Sequence, residues 1–166
     1  MDSTTVQARD ARGLLAPADL AEVRATLLCA NPTMDEFTAS RILREALAFV
    51  AACATSSTQG LRPSRIVDEG WHALILHTRI YANLCARLGR FVHHAPEAPD
   101  PTRYSPGALS ATQAAIRAAG YTVDPLLWAA PLDTTIPVAA SCQHGPPGPE
   151  GSCTGSGEGD GPSGPN

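Results

Sequence analysis

The sequence predicts an all-α protein, a single small helical domain of about four main helices with a disordered, Gly/Pro-rich C-terminal tail. Apolar residues recur at the three- and four-residue spacing of amphipathic helices, and no stretch keeps the strict alternation of a half-buried strand. After residue 137 the composition changes to glycine, proline and serine. We therefore expect a flexible N-terminus over residues 1–15, a helical domain over 16–137 and a disordered tail over 138–166.

Composition limits the classes of partner. The chain is 43% hydrophobic and carries 12 arginines and no lysine against 16 acidic residues, which gives a formal net charge of −4. This charge argues against nucleic-acid and anionic-membrane surfaces. Because there is neither a long apolar run nor a signal-peptide pattern, we expect a cytoplasmic protein. A protein partner that binds the helical domain or the tail stays open as a hypothesis. The five cysteines, an odd number, indicate free thiols.

Two helices are predicted in the first third of the chain. Leucine and valine at helical spacing predict a helix over residues 17–29, which Pro32 prevents from continuing. Thr33 and Glu36 match the S/T-x-x-E capping box, so a second helix is expected behind them, running to about residue 55. Phe37 opens the apolar face of this second helix, and its solvated face is predicted to hold Arg41, Arg44 and Glu45.

A long central helix is predicted from the cap residue Ser64 to about residue 88, where Gly89 supplies the left-handed conformation that often ends a helix. If this helix is continuous, His77 lies near the middle of its buried face, whereas Asp68 and His72 lie on the opposite, polar stripe. The buried face is predicted to consist of Val67, Trp71, Leu74, Tyr81, Leu84, Cys85 and Leu88.

The last predicted elements are shorter. A fourth helix spans roughly residues 106–119 with Ser105 as its cap, and a short helical turn over 121–128 brings Trp128 to one end of the core. Residues 143–166 contain eight glycines and five prolines without a Gly-X-Y period, so neither a core nor a collagen helix is expected there.

Asp68 and His72 form the first candidate site. At i,i+4 spacing the carboxylate can accept one ring N–H and leave the other nitrogen to bind a metal or move a proton, although a plain surface hydrogen bond is the alternative. Adjacent His93 and His94 would point to opposite sides of an extended chain, so one of them is expected to return towards His72. Such an Asp/His set suits zinc or non-haem iron.

The tail holds a second candidate. Cys142 and His144, with Cys153 beyond them, offer sulfur and imidazole ligands for zinc or copper, or are incidental residues of a Gly/Pro-rich tail. No P-loop, dinucleotide-binding glycine motif, G-x-S-x-G elbow or C-x-x-C pair occurs. Enzymatic activity is therefore left open, with a non-catalytic protein favoured.

The central stretch also resembles a known family. The patterns V-D-x-x-W-H from Val67, Y-x-x-x-C from Tyr81 and G-x-F-x-H-H-x-P from Gly89, with S-C-Q-H from Ser141, resemble small actinobacterial glycine-rich-domain-containing (glycine-rich-domain-like) proteins over roughly residues 15–144. The resemblance implies no established reaction or ligand. Leu74 stands where the plant-type pattern has a second histidine, so a W-H-x-H metal pattern is incomplete here.

Three functions follow as hypotheses. The first is a cytosolic protein that binds a divalent metal through Asp68, His72 and His93 or His94. The second is a non-catalytic interaction module whose helices contact a protein partner. The third is the precursor of a modified peptide, in which the cysteine-bearing tail is the substrate of a maturation enzyme.

Overall fold

The computed structural model describes residues 8–58, 60–97, 106–128, 136–138 and 143–144, and helices are the main elements within these ranges. Short 3-10 helices precede the first α-helix (Ala11–Leu14) and follow the last (Pro125–Leu127). Two-residue strands, β1 and β2, pair antiparallel at Pro96–Glu97 and Gln143–His144. The predicted all-α class is confirmed. The described helices are α1 (Pro17–Ala30), α2 (Glu36–Thr55), α3 (Arg65–Leu76), α4 (Thr78–Leu88) and α5 (Pro106–Ala118).

Helix α2 forms the centre of the core. Its residues contact α1, α3, α4, α5 and the first 3-10 helix. The helix buries a nearly continuous series of apolar side chains from Ala39 to Ala52, because it is covered by neighbouring elements on several sides. Its largest fully buried apolar side chains are Ile42, Leu43, Leu47 and Phe49.

The start of α2 differs from the prediction. Asp35, not Thr33, is the cap, since its carboxylate accepts the backbone N–H of Thr38 at 2.8 Å. Glu36 is therefore the first helical residue and cannot act as the third residue of a capping box, so that prediction is wrong. Two other predicted signals are confirmed: the Ser64 hydroxyl accepts the Val67 N–H at 3.1 Å, and Gly89 ends α4 with φ +87°.

Two residues of α2 lie on a different face from the one predicted. Phe37 was assigned to the apolar face but is 73% exposed, with the Arg41 guanidinium over its ring. Glu45 was assigned to the solvated face but is 0% exposed, and its carboxylate accepts the indole N–H of Trp128 at 2.8 Å. Because the second 3-10 helix brings Trp128 against α2, a position that periodicity assigns to solvent becomes interior.

A glycine sets the distance between α2 and α3. A Cβ atom built on Gly70 would lie 2.8 Å from Ile42 Cγ2, 3.1 Å from Ala46 Cβ and 3.2 Å from the Ile42 carbonyl oxygen. Such distances are shorter than van der Waals contact, so the two helices pack this closely only because residue 70 has no side chain.

The predicted central helix is interrupted at His77, which has φ −87° and ψ +67° and separates α3 from α4. The prediction of one continuous helix is therefore wrong. Ten residues of continuous helix rise about 15 Å, yet the Trp71 indole N–H donates to the Tyr81 hydroxyl at 3.1 Å. The interruption brings the start of α4 back beside α3.

The end regions partly lie within the described residues. Residues 8–15, predicted to be flexible, include the first 3-10 helix, and the Arg9 N–H donates to the Gly120 carbonyl at 2.8 Å. Val138, at the start of the predicted disordered tail, is buried, and β2 pairs with β1. Most of residues 139–166, including Cys142 and Cys153, lies outside the described residues, as does the predicted cap Ser105.

The described cysteines, Cys29, Cys53 and Cys85, are free thiols, as predicted. Burial raises the pKa of the Cys53 thiol to about 12, so this side chain stays protonated at neutral pH. Among the described residues, no helix is both long enough and apolar enough to cross a membrane.

Candidate metal centre

Asp68 is the buried anchor of the site. It lies in the first turn of α3, four residues before His72, and one carboxylate oxygen (Oδ2) is 3.5 Å from His72 Nδ1. The predicted i,i+4 neighbours therefore face each other. Their environment differs from the predicted polar stripe, however, because Asp68 is only 1% exposed and the His72 side chain is 26% exposed.

His94 comes from a different part of the chain. After Gly89 ends α4, the following segment returns to α3, and His94 Nε2 lies 3.1 Å from Asp68 Oδ1. The His94 side chain is 7% exposed, and its ring centroid is 4.4 Å from that of His72. His93 is exposed and packs against Phe91 instead, so one histidine of the pair faces inward and one outward.

A chain of hydrogen bonds holds the segment that carries His94. The Trp71 N–H donates to the Tyr81 hydroxyl, which in turn donates to the carbonyl of Val92. Burial raises the pKa of Tyr81, so the phenol keeps the proton that it donates. The Trp71 ring also packs against His94 at 4.6 Å and against Phe49 at 5.1 Å.

The sequence did not predict this hydrogen-bonded support of the His94 segment. Trp71 and Tyr81 were predicted to be core residues, and both are buried. The sequence did contain one indication of this support: each side chain has a polar group, and a buried indole N–H or phenol usually finds a hydrogen-bond partner. The partner of Tyr81 is a backbone carbonyl, which no sequence pattern reveals.

Asp68, His72 and His94 present one carboxylate oxygen and two imidazole nitrogens that all lie within 4.8 Å of one another. Zinc bonds of about 2.0–2.2 Å in tetrahedral geometry place neighbouring ligand atoms about 3.3 Å apart. His94 Nε2 lies 3.1 Å from Asp68 Oδ1 and His72 Nδ1 lies 3.5 Å from the other oxygen, Oδ2, so each imidazole is near that separation from one of the two carboxylate oxygens. Two histidines and a carboxylate also form the ligand set of non-haem iron(II) centres.

The same side chains can form a purely polar cluster. An ionised carboxylate accepts hydrogen bonds from the imidazoles on either side, and buried polar groups are normally paired in this way. Among the described residues, every buried side-chain nitrogen and oxygen has a hydrogen-bond partner. The hydrogen bonding of this cluster therefore does not distinguish a metal ligand from a structural partner.

A groove of about 340 Å³ lies beside this cluster. It runs between the start of α4 and the segment after Gly89, and His94 belongs to both the groove and the cluster. Two large hydrophobic residues in this part of the chain are exposed: Phe91, which lines the groove, and Leu76, which ends α3 next to the lining residue Ile75. The groove is lined by Ile75, Thr78, Tyr81, Ala82, Phe91, Val92, His93 and His94.

The remaining histidines are placed elsewhere or incompletely described. His77, predicted to be a core residue, is only half-buried at the junction of α3 and α4, where its Nε2 lies 2.8 Å from Thr26 Oγ1 of α1. That prediction is wrong because the interruption between the helices turns residue 77 away from the interior. His144 lies in β2, and Cys142 lies outside the described residues.

The fold and the site together define a small all-α protein in which Asp68 and His72 of the third helix meet His94 from the segment after Gly89. A family model described as UCP032817-like matches residues 19–105, which is more than half of the chain and includes Asp68, His72 and His94. The chain therefore belongs to the UCP032817-like family. The name of the family assigns no activity, and neither a curated protein nor a solved structure matches the chain.

Proposed function

We propose that this protein binds a divalent transition metal, zinc or iron(II), through Asp68, His72 and His94. The observation that carries the proposal is the convergence of two imidazole nitrogens from separate segments on one buried carboxylate. The sequence left the choice between His93 and His94 open. The proposed ligand set contains His94, because His93 is exposed.

The chemistry of these side chains supports this proposal. A carboxylate oxygen beside two imidazole nitrogens is a ligand set that divalent transition metals accept, and the burial of Asp68 would strengthen its attraction for a cation held between it and the two histidines. Trp71 and Tyr81 would act as outer supports, since they orient the segment of His94 without offering a ligand. Three protein ligands would leave at least one position for water or another group.

The first experiment is metal analysis of protein purified without a histidine tag. The wild type is equilibrated with Zn²⁺, or with Fe²⁺ without oxygen, then separated from free metal and measured by elemental mass spectrometry. We expect about one metal per chain, since one set of three ligands binds one ion. Folded wild-type protein that retains neither metal would contradict the proposal.

His93→Ala is the matched control for His72→Ala. Both substitutions remove a solvent-accessible imidazole, but only His72 contacts Asp68. We expect His72→Ala to lose the bound metal and His93→Ala to retain it, with the helical circular dichroism unchanged in both. Equal metal content in the two variants would show that the metal is not held at Asp68.

The interaction module remains a second hypothesis, and the observation in its favour is the exposure of two large hydrophobic side chains, Phe91 in the groove and Leu76 at the end of α3. Its test is a pull-down with the full-length chain and with a Leu76→Ser variant as control. A partner that binds the wild type but not the variant supports this hypothesis.

The peptide-precursor hypothesis concerns tail residues outside those described, and an unmodified tail in the mass spectrum of native protein would contradict it.

A further inference from the structure

The groove and the candidate metal centre share a residue. His94 lines the groove, and its Nε2 is also one of the three candidate ligand atoms. The groove and the metal position are therefore about one side chain apart at most. A volume of about 340 Å³ lies within the usual range of small-molecule sites, so the groove can hold a ligand of modest size beside the metal.

The walls of the groove are mostly apolar. Ile75, Phe91 and Val92 contribute hydrocarbon surface, and the Tyr81 hydroxyl already donates to the Val92 carbonyl. All the residues that line the groove lie in the described part of the chain, and none of them is Asp, Glu or Arg. The groove therefore suits the apolar body of a ligand, whereas a charged head group finds no permanently charged partner on its walls.

The metal-loaded centre would supply the missing charge. Metal ligands bind deprotonated, so a divalent cation held by the Asp68 carboxylate and two neutral imidazoles keeps one unit of positive charge. Asp68 and His94 are both buried, and a buried charge is costly without a partner. Because three protein ligands leave an open position, an anionic oxygen donor could bind there and neutralise this charge.

We propose that the metal and the groove together bind a small monocarboxylate with an apolar body, with its carboxylate on the metal and its body between the groove walls. This inference rests on the proposed metal-binding function and names the ligand class of that site. The metal supplies the positive charge that the groove lacks, and the groove supplies the apolar contact that the metal cannot offer. Affinity therefore depends on both.

The first test uses phenylacetate as the probe and isothermal titration calorimetry of full-length, tag-free protein loaded with Zn²⁺. Acetate has the same head group without the ring, and phenylacetamide has the ring with a neutral head group. We expect phenylacetate to bind at least about tenfold more tightly than acetate, because burial of a phenyl ring is worth at least one tenfold step in affinity. Phenylacetamide, and phenylacetate with metal-free protein, should both show weaker binding by at least about tenfold.

Ala82→Leu and Ala86→Leu form a matched pair of variants. Both alanines are exposed residues of α4, but only Ala82 lines the groove. Leucine is well tolerated at exposed helical positions, so both variants should fold and retain Zn²⁺, which elemental mass spectrometry checks. We expect Ala82→Leu to weaken phenylacetate binding by at least about tenfold and to leave acetate binding unchanged, whereas Ala86→Leu should bind both probes as the wild type does.

The outcomes separate this inference from the proposed function. Phenylacetate binding that requires Zn²⁺ and is weakened only by Ala82→Leu supports the inference. Absence of phenylacetate binding, equal affinities for phenylacetate and acetate, binding that is independent of Zn²⁺, or equal effects of the two leucine variants would each overturn it. In those cases the retained Zn²⁺ leaves the metal centre standing. Wild-type protein that retains no Zn²⁺ overturns the proposed zinc site and this inference with it.

Discussion

Asp68 and Glu45 are two buried carboxylates in neighbouring helices with very different partners. Both were predicted to lie on solvated faces, and both are fully buried. Glu45 contacts the indole N–H of Trp128 and the guanidinium of Arg44, whereas Asp68 contacts the imidazoles of two histidines.

The partners determine what each carboxylate can do. Indole and guanidinium groups are donors without a lone pair for a metal, so the cluster around Glu45 can only hold α2 to the segment of Trp128. An imidazole can lose its proton and bind a metal through the freed nitrogen. Burial of an acid is therefore common to a structural and a candidate functional region, and the chemistry of its neighbours distinguishes them.

The largest expected effect comes from disturbing both regions at once. Gly70→Val would place a branched side chain against Ile42 and Ala46, where even a Cβ atom is too close. We expect the free energy of unfolding to fall by about 3 kcal/mol, the upper part of the usual cost of overpacking. Urea denaturation measures it, and Gly13→Val, at a position with open space, is the control. Equal losses in the two variants would contradict close packing at Gly70.

The second prediction is that Zn²⁺ stabilises the folded protein through Asp68 and not through Glu45. Zn²⁺ at 100 times its dissociation constant should stabilise the wild type by about 2.7 kcal/mol through preferential binding to the folded state. Asp68→Asn should lose this stabilisation because a ligand is removed, whereas Glu45→Gln should keep it. Urea denaturation with and without Zn²⁺ gives the comparison, and a Zn²⁺ response retained in Asp68→Asn would place the metal elsewhere.

The third effect concerns Glu45 alone. Glu45→Ala removes the acceptor of the Trp128 N–H, and leaving a buried donor unpaired costs about 2 kcal/mol of unfolding free energy. Glu45→Gln keeps an acceptor oxygen of similar shape, so its loss should be smaller. Intrinsic fluorescence, to which both Trp71 and Trp128 contribute, is followed through urea denaturation to measure the unfolding free energy of both variants. Equal losses would mean that the hydrogen bond contributes little.

The smallest effect is a dependence on pH. Burial raises the pKa of Glu45 in the folded protein, partly opposed by Trp128 and Arg44. The protonated acid is thus favoured by folding, and this contribution is present below the ordinary pKa of about 4.3 and is lost as pH rises through the folded pKa. As pH rises from below the ordinary pKa to above the folded pKa, the stability of Glu45→Gln relative to wild type should therefore increase by about 1.4 kcal/mol for each unit by which the folded pKa is raised.

Unfolding free energies of the two proteins at pH 4 and pH 8 provide the measurement. Other titrating groups contribute equally to both proteins and cancel in the difference. A difference that is constant with pH would show that Glu45 has the same pKa in the folded and unfolded states.

The candidate site was partly predictable. Asp68 and His72 were identified because i,i+4 spacing on a helix brings side chains together whatever the rest of the chain does. The choice between His93 and His94 depended on how the chain returns after Gly89, which Tyr81 controls through the Val92 carbonyl. That contact joins residues on different elements and leaves no periodic signal.

The sequence by itself determined the all-α class, the cap at Ser64, the end at Gly89 and the pairing of Asp68 with His72, because these depend on local backbone chemistry and short-range spacing. The tertiary structure decided the interruption at His77, the close approach at Gly70 and the burial of both acids. A polar side chain is interior only when a distant segment supplies its partner, and that pairing exists only once the chain has folded.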